Sequence, residues 1–205
     1  TPSVTTGYYR VTYQINQTQT DEAPSNNKDT LDYYITDYEY ARDEGPMEDE
    51  FTPSGLYAGQ TYQVGNIFEG RSNTVKCTSI AVAVGPGTAI GSTIQATIYK
   101  NDFTNLQATS VTYPVNAWDI NALGQQKLIT LQLPTPLTLY ADSVYIVMVG
   151  NTVGTQALKV CRSGAAIAQT SFVRYPESNG LLFMAKMPIV RMNLFTAAQT
   201  PGCTN

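Results

Sequence analysis

A run of carboxylates near the amino terminus is the part of this sequence with the clearest capacity for chemistry. Its members are Asp37, Glu39, Asp43, Glu44, Glu48, Asp49 and Glu50. Two carboxylates held close together can hydrolyse a glycosidic bond, and several carboxylate oxygens can bind Ca²⁺. A solvated acidic loop is the interpretation we favour, because the run is short and lacks the spacing of a helical calcium loop. We expect no cofactor, and the alternative is Ca²⁺ held by Asp43, Glu44, Glu48, Asp49 and Glu50.

Most other catalytic arrangements are excluded by the composition. The 205-residue chain has no histidine, so a Ser-His-Asp or Cys-His arrangement lacks the base that activates its nucleophile. The glycine-containing stretch at 85–87 is not followed by a helix pattern that could supply anion-binding amides. We therefore expect a protein that is not an enzyme.

The three cysteines leave at least one thiol unpaired within the chain. Cys77 and Cys161 lie in predicted strands, where two buried free thiols are favoured over one disulfide. Cys203 is expected to begin a cysteine-bearing region further along a longer protein. A zinc site is not expected without histidine or a close cysteine pair.

Aromatic residues offer the best predicted binding surface. Tyr33, Tyr34, Tyr38 and Tyr40 alternate with acidic residues, and sugar rings stack on such faces while carboxylates accept their hydroxyl hydrogens. The competing and favoured interpretation is an N-terminal strand whose tyrosines pack on the core. The single tryptophan, Trp118 beside Asp119, is interpreted either as an exposed platform or, the favoured alternative, as a plug at one end of the core.

The elements that must position these residues are predicted to be strands. Period-two alternation bounded by Gly, Pro, Asn and Asp is typical of half-buried strands. It predicts strands at 74–84, 93–100, 127–133 and 143–149, and shorter ones at 8–15, 31–38, 61–67, 106–113, 157–161, 171–175, 181–184 and 189–195. A helical turn is the alternative at 118–123 and in the acidic stretch 37–50.

This spacing of short strands predicts an all-β fold, an antiparallel β-sandwich of jelly-roll-like type. We expect an acidic, tyrosine-rich N-terminal segment at 1–56, packed on the main domain. The sandwich domain is expected at 57–197, with a tail or linker at 198–205 leading to a missing downstream region.

Charge is distributed unevenly along the chain. Residues 1–50 carry eleven of the 16 acidic groups against three basic ones, while residues 51–205 carry five acidic and nine basic groups. The two parts are predicted to attract one another, or the acidic part to meet a cation or a basic partner. Nucleic acid is not an expected partner, because there is no basic stripe with interleaved aromatics.

Composition favours an exported protein. Charged residues make up only 14% of the chain, which is rich in Thr, Asn and Gln. The apolar stretches are strand-sized, so we expect no membrane insertion. The chain opens at Thr1 without a methionine or signal peptide, and a mature chain or a fragment of a longer protein is expected.

Several stretches together resemble a known module. They are 73–75, 79–82, 87–91, 98–100, 134–139, 144–149 and 188–193. Over about residues 60–197 the chain resembles a β-sandwich module of large Bacteroidota surface proteins exported by the type IX secretion system. The resemblance implies an extracellular or cell-surface location and contact with the type IX machinery through a sorting domain that this chain lacks. It also implies bacterial O-glycosylation at Thr30 or Ser143, since each follows an aspartate and precedes an aliphatic residue.

Three classes of function fit these observations. The favoured one is a noncatalytic module of a secreted or cell-surface protein, acting in adhesion, ligand binding or as a structural spacer, with glycans or other surface proteins as partners. The first alternative is a carbohydrate-binding module of a secreted hydrolase. The second is a viral or filament-forming jelly-roll structural protein.

Overall fold

The computed structural model describes residues 7–16, 21–36, 38–53, 59–70, 74–153 and 157–195. The chain forms two compact units, Thr1–Asp37 and Tyr38–Asn205. Residues 38–50, which the sequence assigned to the N-terminal segment, therefore belong to the larger unit. The helical elements within the described ranges are short 3-10 turns, Pro24–Asn27 and Ala117–Asp119.

The smaller unit contains an antiparallel pair of strands. They are β1 (Gly7–Gln14) and β2 (Lys28–Ile35), which pair without a register shift from Gly7 opposite Ile35 to Gln14 opposite Lys28. The sequence predicted both strands, although β2 begins and ends three residues earlier than expected.

The larger unit is built from short strands. Those of the first half are β3 (Glu39–Tyr40), β4 (Asp49–Glu50), β5 (Gln63–Glu69), β6 (Val75–Val82), β7 (Thr93–Lys100), β8 (Leu106–Thr109) and β9 (Tyr113–Pro114). Those of the second half are β10 (Ile129–Leu139), β11 (Val144–Asn151), β12 (Cys161–Ala165), β13 (Ser171–Tyr175), β14 (Gly180–Phe183), β15 (Lys186–Pro188) and β16 (Val190–Phe195).

These strands pair into three sheets. A seven-stranded sheet has the order β14-β13-β5-β11-β7-β8, with β9 also paired to β7. A four-stranded sheet has the order β10-β6-β16-β3, and a three-stranded sheet the order β15-β12-β4. The named strand pairs are antiparallel.

The core lies between the seven-stranded and the four-stranded sheets. Alternation in β7 predicted that Ile94, Ala96 and Ile98 share one face, and all three are fully buried in this core. The opposite wall includes Ile80 and Leu131, which are also fully buried. The prediction of an all-β antiparallel sandwich is confirmed. The jelly-roll strand order stays a prediction.

Strand β11 is the most enclosed strand of the larger sheet. Its nearly continuous apolar sequence predicted a central strand covered on both faces. It pairs with β5 on one side and β7 on the other, and it is buried from Tyr145 to Asn151. That prediction is confirmed.

One expectation about local structure is wrong, and one alternative does not hold. Pro134 and Pro136 were expected to end the strand at 127–133, but β10 continues to Leu139. The pairing of β10 with β6 shifts register between Gln132 and Leu137, so both prolines lie where no ladder hydrogen bond is required of them. The acidic stretch is not helical, since it contributes β3 and β4 to two different sheets.

The two cysteines of the sandwich are buried free thiols. This confirms the favoured prediction for Cys77 and Cys161, while Cys203 lies outside the described residues. Burial raises the pKa of each thiol to about 12, because the charged thiolate is poorly solvated in the core. Neither thiol is placed for nucleophilic chemistry.

Candidate functional site

The acidic segment, residues 38–50, is held to the sandwich by ion pairs. Arg191 of β16 contacts Glu39 through Nη1 at 2.7 Å and Asp43 through Nε at 2.9 Å. Its Nη2 also donates to Asp43, whose side chain is fully buried. Burial acts to lower the pKa of Arg191, but the two carboxylates outweigh it and the pKa is raised. This arrangement keeps Asp43 away from any external ligand.

The remaining ion pairs of the acidic segment are more exposed. Arg162 donates from Nε to Asp49 at 2.6 Å, and Lys186 donates to Glu48 at 2.9 Å. Lys186 also contacts Asp49 at 3.2 Å. The hydrogen bond from Lys186 lowers the pKa of Glu48 and raises that of the lysine. The predicted attraction between the acidic and basic parts of the chain is thus confirmed for this segment.

The carboxylates proposed for Ca²⁺ do not gather around one point. Asp43 and Asp49 are paired with arginines, Glu50 accepts from the Gly87 amide at 3.1 Å, and Glu44 is exposed. In the ranges that the structure describes, no group of three or more Asp, Glu, Cys or His residues is placed to hold a metal ion. The geometry therefore gives no support to the calcium hypothesis, and Asp37 lies outside the described residues.

The four tyrosines of the predicted aromatic surface separate between the two units. Tyr33 and Tyr34 lie in β2, and their side chains are outside the described part of the chain. Tyr40 packs edge-on against Phe68 at 4.9 Å between ring centroids, as the core-packing interpretation predicted. Tyr38 has an exposed side chain. Tyr38 and Tyr40 therefore do not form a shared platform.

Trp118 differs from the tyrosines because its ring is presented to solvent. Its side chain is 71% exposed at the centre of the 3-10 turn Ala117–Asp119. The favoured interpretation, a plug at the end of the core, is wrong. Tryptophan is usually among the more buried residue types, so an exposed indole is informative.

The turn under Trp118 is fixed by its own side chains. Asn116 and Asp119 form a capping box across the 3-10 turn. Asp119 Oδ2 accepts from the Asn116 amide at 2.8 Å and from the Tyr113 hydroxyl at 3.0 Å. The Asn116 side chain also donates to the Pro114 carbonyl at 3.0 Å. Asp119 therefore acts here as a positioning residue for the turn.

The rest of the Trp118 loop, residues 115–128, is anchored by the buried Asn121. Its Nδ2 donates to the carbonyls of Val84 and Lys127, each at 3.0 Å. Its Oδ1 accepts from the Lys127 amide, and its own amide donates to Val84 at 2.9 Å. A buried amide side chain with this many partners holds the loop in one conformation.

Two further contacts fasten the Trp118 loop to neighbouring segments. Met47 of the acidic segment exchanges backbone hydrogen bonds with Gln125 and Gly124, both at 2.8 Å. The Val115 amide donates to Ser92 at 2.9 Å, which joins the loop to the start of β7. The loop also carries the exposed side chain of Leu123. The result is a rigid support beneath an exposed aromatic surface.

The two predicted glycosylation residues differ in accessibility. Thr30 is exposed in β2. Ser143 is half-buried, and its carbonyl accepts from the Gly70 amide at 2.6 Å. The preceding residue, Asp142, has a φ of 60°, which is typical of a turn, and this turn leads into β11. Glycosylation at either residue stays a prediction.

A shallow cleft of about 220 Å³ opens at one side of the sandwich, and its lining residue Arg162 is paired with Asp49 of the acidic segment. Most of its lining residues have apolar side chains, but polar atoms supply slightly more of its surface than apolar ones. The lining residues are Phe51, Thr52, Arg162, Val173, Tyr175, Leu182, Phe183, Met184 and Ala185. No local sequence pattern predicted it, because its walls come from four separate stretches of chain.

Comparison with known proteins gives no family. The chain matches no protein-family model and none of the curated proteins. Within the described residues there is no helix with the length and hydropathy needed to cross a bilayer.

Proposed function

We propose that this chain is a noncatalytic recognition module of a secreted or cell-surface protein, with its ligand contact at Trp118. The observation that carries the proposal is the 71% exposure of the single tryptophan on a loop held by the Asn116–Asp119 turn and by the buried Asn121. A rigid aromatic contact loses little conformational entropy on binding, so a pre-organised loop favours recognition.

A carbohydrate is the ligand class that this surface suits best. The apolar face of a sugar ring stacks on an indole, and polar groups around the ring engage its hydroxyls. Gln125 and Lys127 lie in the same loop and are exposed. The Gln125 side-chain oxygen accepts from the Ala122 amide and the Lys127 ammonium donates to the Ile120 carbonyl, so each has further N–H donors for a sugar hydroxyl. This is the reason for retaining the carbohydrate-binding module of a secreted hydrolase as the second candidate.

The location part of the proposal rests on composition and resemblance. The low charge content and the resemblance to type IX secreted surface modules both favour an exported protein. In that setting the module would belong to a longer protein and act in adhesion or ligand binding.

A glycan array tests the proposal. The labelled chain should bind a defined set of immobilised glycans, and Trp118→Ala should lose at least about tenfold in affinity, which is near 1.4 kcal/mol. Tyr140→Ala is the matched control, because Tyr140 is another exposed aromatic residue outside the Trp118 loop. Equal binding by wild type and Trp118→Ala would contradict the assignment of Trp118, and no binding to any glycan would contradict the carbohydrate ligand.

A further inference from the structure

Strand β14 forms an open edge of the seven-stranded sheet. It pairs with β13 on one side, and no other described strand pairs with its outer side. The Met184 amide donates to Ser171 at 2.9 Å, which marks a hydrogen-bonded pair of this ladder. Hydrogen-bonded and non-hydrogen-bonded residue pairs alternate along an antiparallel ladder. The backbone N–H and C=O groups of Leu182, two residues before Met184, therefore also bond to β13. The backbone N–H and C=O groups of Leu181 and Phe183 consequently point away from the sheet.

The side chains of β14 do not protect this edge. Leu181, Leu182 and Phe183 are 44%, 45% and 59% exposed, respectively. Natural edge strands are commonly blocked by charges, proline or a bulge, and β14 has none of these. The opposite edge differs, since β8 has a register shift against β7 and the adjoining β9 contains Pro114.

The cleft lies directly beside this edge. Leu182 and Phe183 form part of its wall, and the half-buried Phe51 adds aromatic surface, while Tyr175 behind it is buried. Its volume of about 220 Å³ is below the roughly 300–1,000 Å³ of pockets for drug-sized ligands. A strand added to β14 would place one side chain beside Leu182, on the cleft side of the sheet. The cleft has the size to receive that single side chain.

The charge of the cleft limits the partner further. Arg162 is the one charged residue in the lining, and its guanidinium lies over the Phe51 ring with 5.9 Å between its carbon and the ring centroid. Among the described residues, its side chain makes one hydrogen bond, from Nε to Asp49. Its two Nη groups retain donors that a carboxylate can accept.

We propose that the β14 edge and this cleft form an acceptor groove for an extended segment of another protein. The segment adds as a strand to Leu181 and Phe183, inserts one apolar side chain into the cleft, and carries a neighbouring carboxylate for Arg162. Strand addition of this kind draws affinity from main-chain hydrogen bonds and specificity from side-chain pockets. A second copy of this chain is a poorer match, because Gly180–Phe183 contains no carboxylate.

Selection from a random peptide phage library tests the proposal. The full chain serves as the target and Leu181→Pro as the counter-target. Proline at 181 removes an outward N–H but no bond to β13, so this variant should fold. Leu182→Pro should instead destabilise the sheet, which checks the assignment of inward and outward groups.

The expected result is a set of peptides with an apolar residue next to Asp or Glu. A synthesised peptide from this set should bind Leu181→Pro at least about tenfold more weakly, and Arg162→Gln should remove its preference for Asp over Asn. Hydrogen exchange at Leu181 and Phe183 should slow when the peptide binds wild type, a readout that needs no variant. Trp118→Ala should leave this binding unchanged, since the groove is separate from the Trp118 loop.

Three results would overturn the proposal. One is a failure to enrich any peptide over the counter-target. Another is a peptide that binds wild type while leaving exchange at Leu181 and Phe183 unchanged. The third is a dimer of the free protein in which these two amides are already protected, which would make a second copy the occupant.

Discussion

Asp43 and Arg191 form a buried, bidentate ion pair between the acidic segment and β16. Nε and Nη2 of the guanidinium each donate to a different oxygen of the carboxylate, across 148 positions of sequence. The side chain of Asp43 is fully buried and that of Arg191 is 11% exposed. Such a pair contributes little net stability relative to apolar residues, but removal of one partner leaves a buried charge without compensation.

Arg191→Met should therefore be strongly destabilising. It leaves the Asp43 carboxylate buried without its partner, which costs about 3–5 kcal/mol. Glu39→Gln should cost much less, because the Glu39 side chain is 30% exposed. The double variant Asp43→Leu with Arg191→Met should be more stable than Arg191→Met alone. Urea unfolding measures all three, and a loss below about 1 kcal/mol for Arg191→Met would contradict this account.

The exposed pair of Lys186 with Glu48 should contribute its stability at neutral pH and lose it in acid. Its hydrogen bond lowers the pKa of Glu48 below the ordinary value of 4.5. A carboxyl group whose pKa is lowered in the folded state contributes stability at pH values above its unfolded-state pKa. This contribution is lost as the pH falls through the folded-state pKa. Glu48→Gln should lower stability slightly at neutral pH and flatten the dependence of the unfolding midpoint on pH below 4.5. An unaltered acid profile in the variant would show that this pair does not contribute.

Stability should fall in alkaline solution because two thiols are buried. The pKa of Cys77 and of Cys161 is about 12, against an ordinary value of 9.0. The folded state thus retains protons that the unfolded state releases, so stability is intact below pH 9 and lost as pH rises toward 12. Each thiol contributes a slope of about 1.4 kcal/mol per pH unit in that window.

Unfolding in urea under reducing conditions at several pH values above 9 checks this slope. Cys77→Ala should reduce it even if the variant is less stable at neutral pH, since the titrating group is gone. Cys161→Ala should act in the same way. A slope that neither substitution changes would assign the alkaline loss to other groups.

Asn121→Ala should loosen the Trp118 loop. The substitution removes the side-chain hydrogen bonds to the carbonyls of Val84 and Lys127 and from the Lys127 amide, at a cost of about 0.5–1.5 kcal/mol for each bond lost. The fluorescence anisotropy of Trp118 should decrease, because the turn gains local freedom. Gln126→Ala is the matched control, an exposed amide side chain of the same loop. Equal anisotropy in wild type and Asn121→Ala would contradict the anchoring role.

Local sequence pattern predicted the strands of the sandwich well where one face is buried. The alternation from Thr93 to Lys100 predicted β7 with both of its ends, because burial of Ile94, Ala96 and Ile98 specifies the register. The same pattern failed at Pro134, since a proline is excluded only where a ladder hydrogen bond is needed.

The functional features depended on contacts between distant parts of the chain. The sequence identified Trp118 but favoured its burial, since exposure is set by which loops surround it. The acidic run was interpreted as a solvated loop, because no local pattern shows its pairing with arginines that lie more than one hundred positions later. The cleft beside β14 was missed for the same reason: its walls meet only when the sheets assemble.

Trp118 itself provides the most direct test of the recognition account. It is the single tryptophan of the chain, so its emission reports this loop alone. Titration with a soluble oligosaccharide corresponding to the best glycan on the array should give a saturable blue shift and protect the indole from acrylamide quenching. Saturable binding of that oligosaccharide with unchanged Trp118 emission and quenching would contradict the claim that Trp118 is the ligand contact.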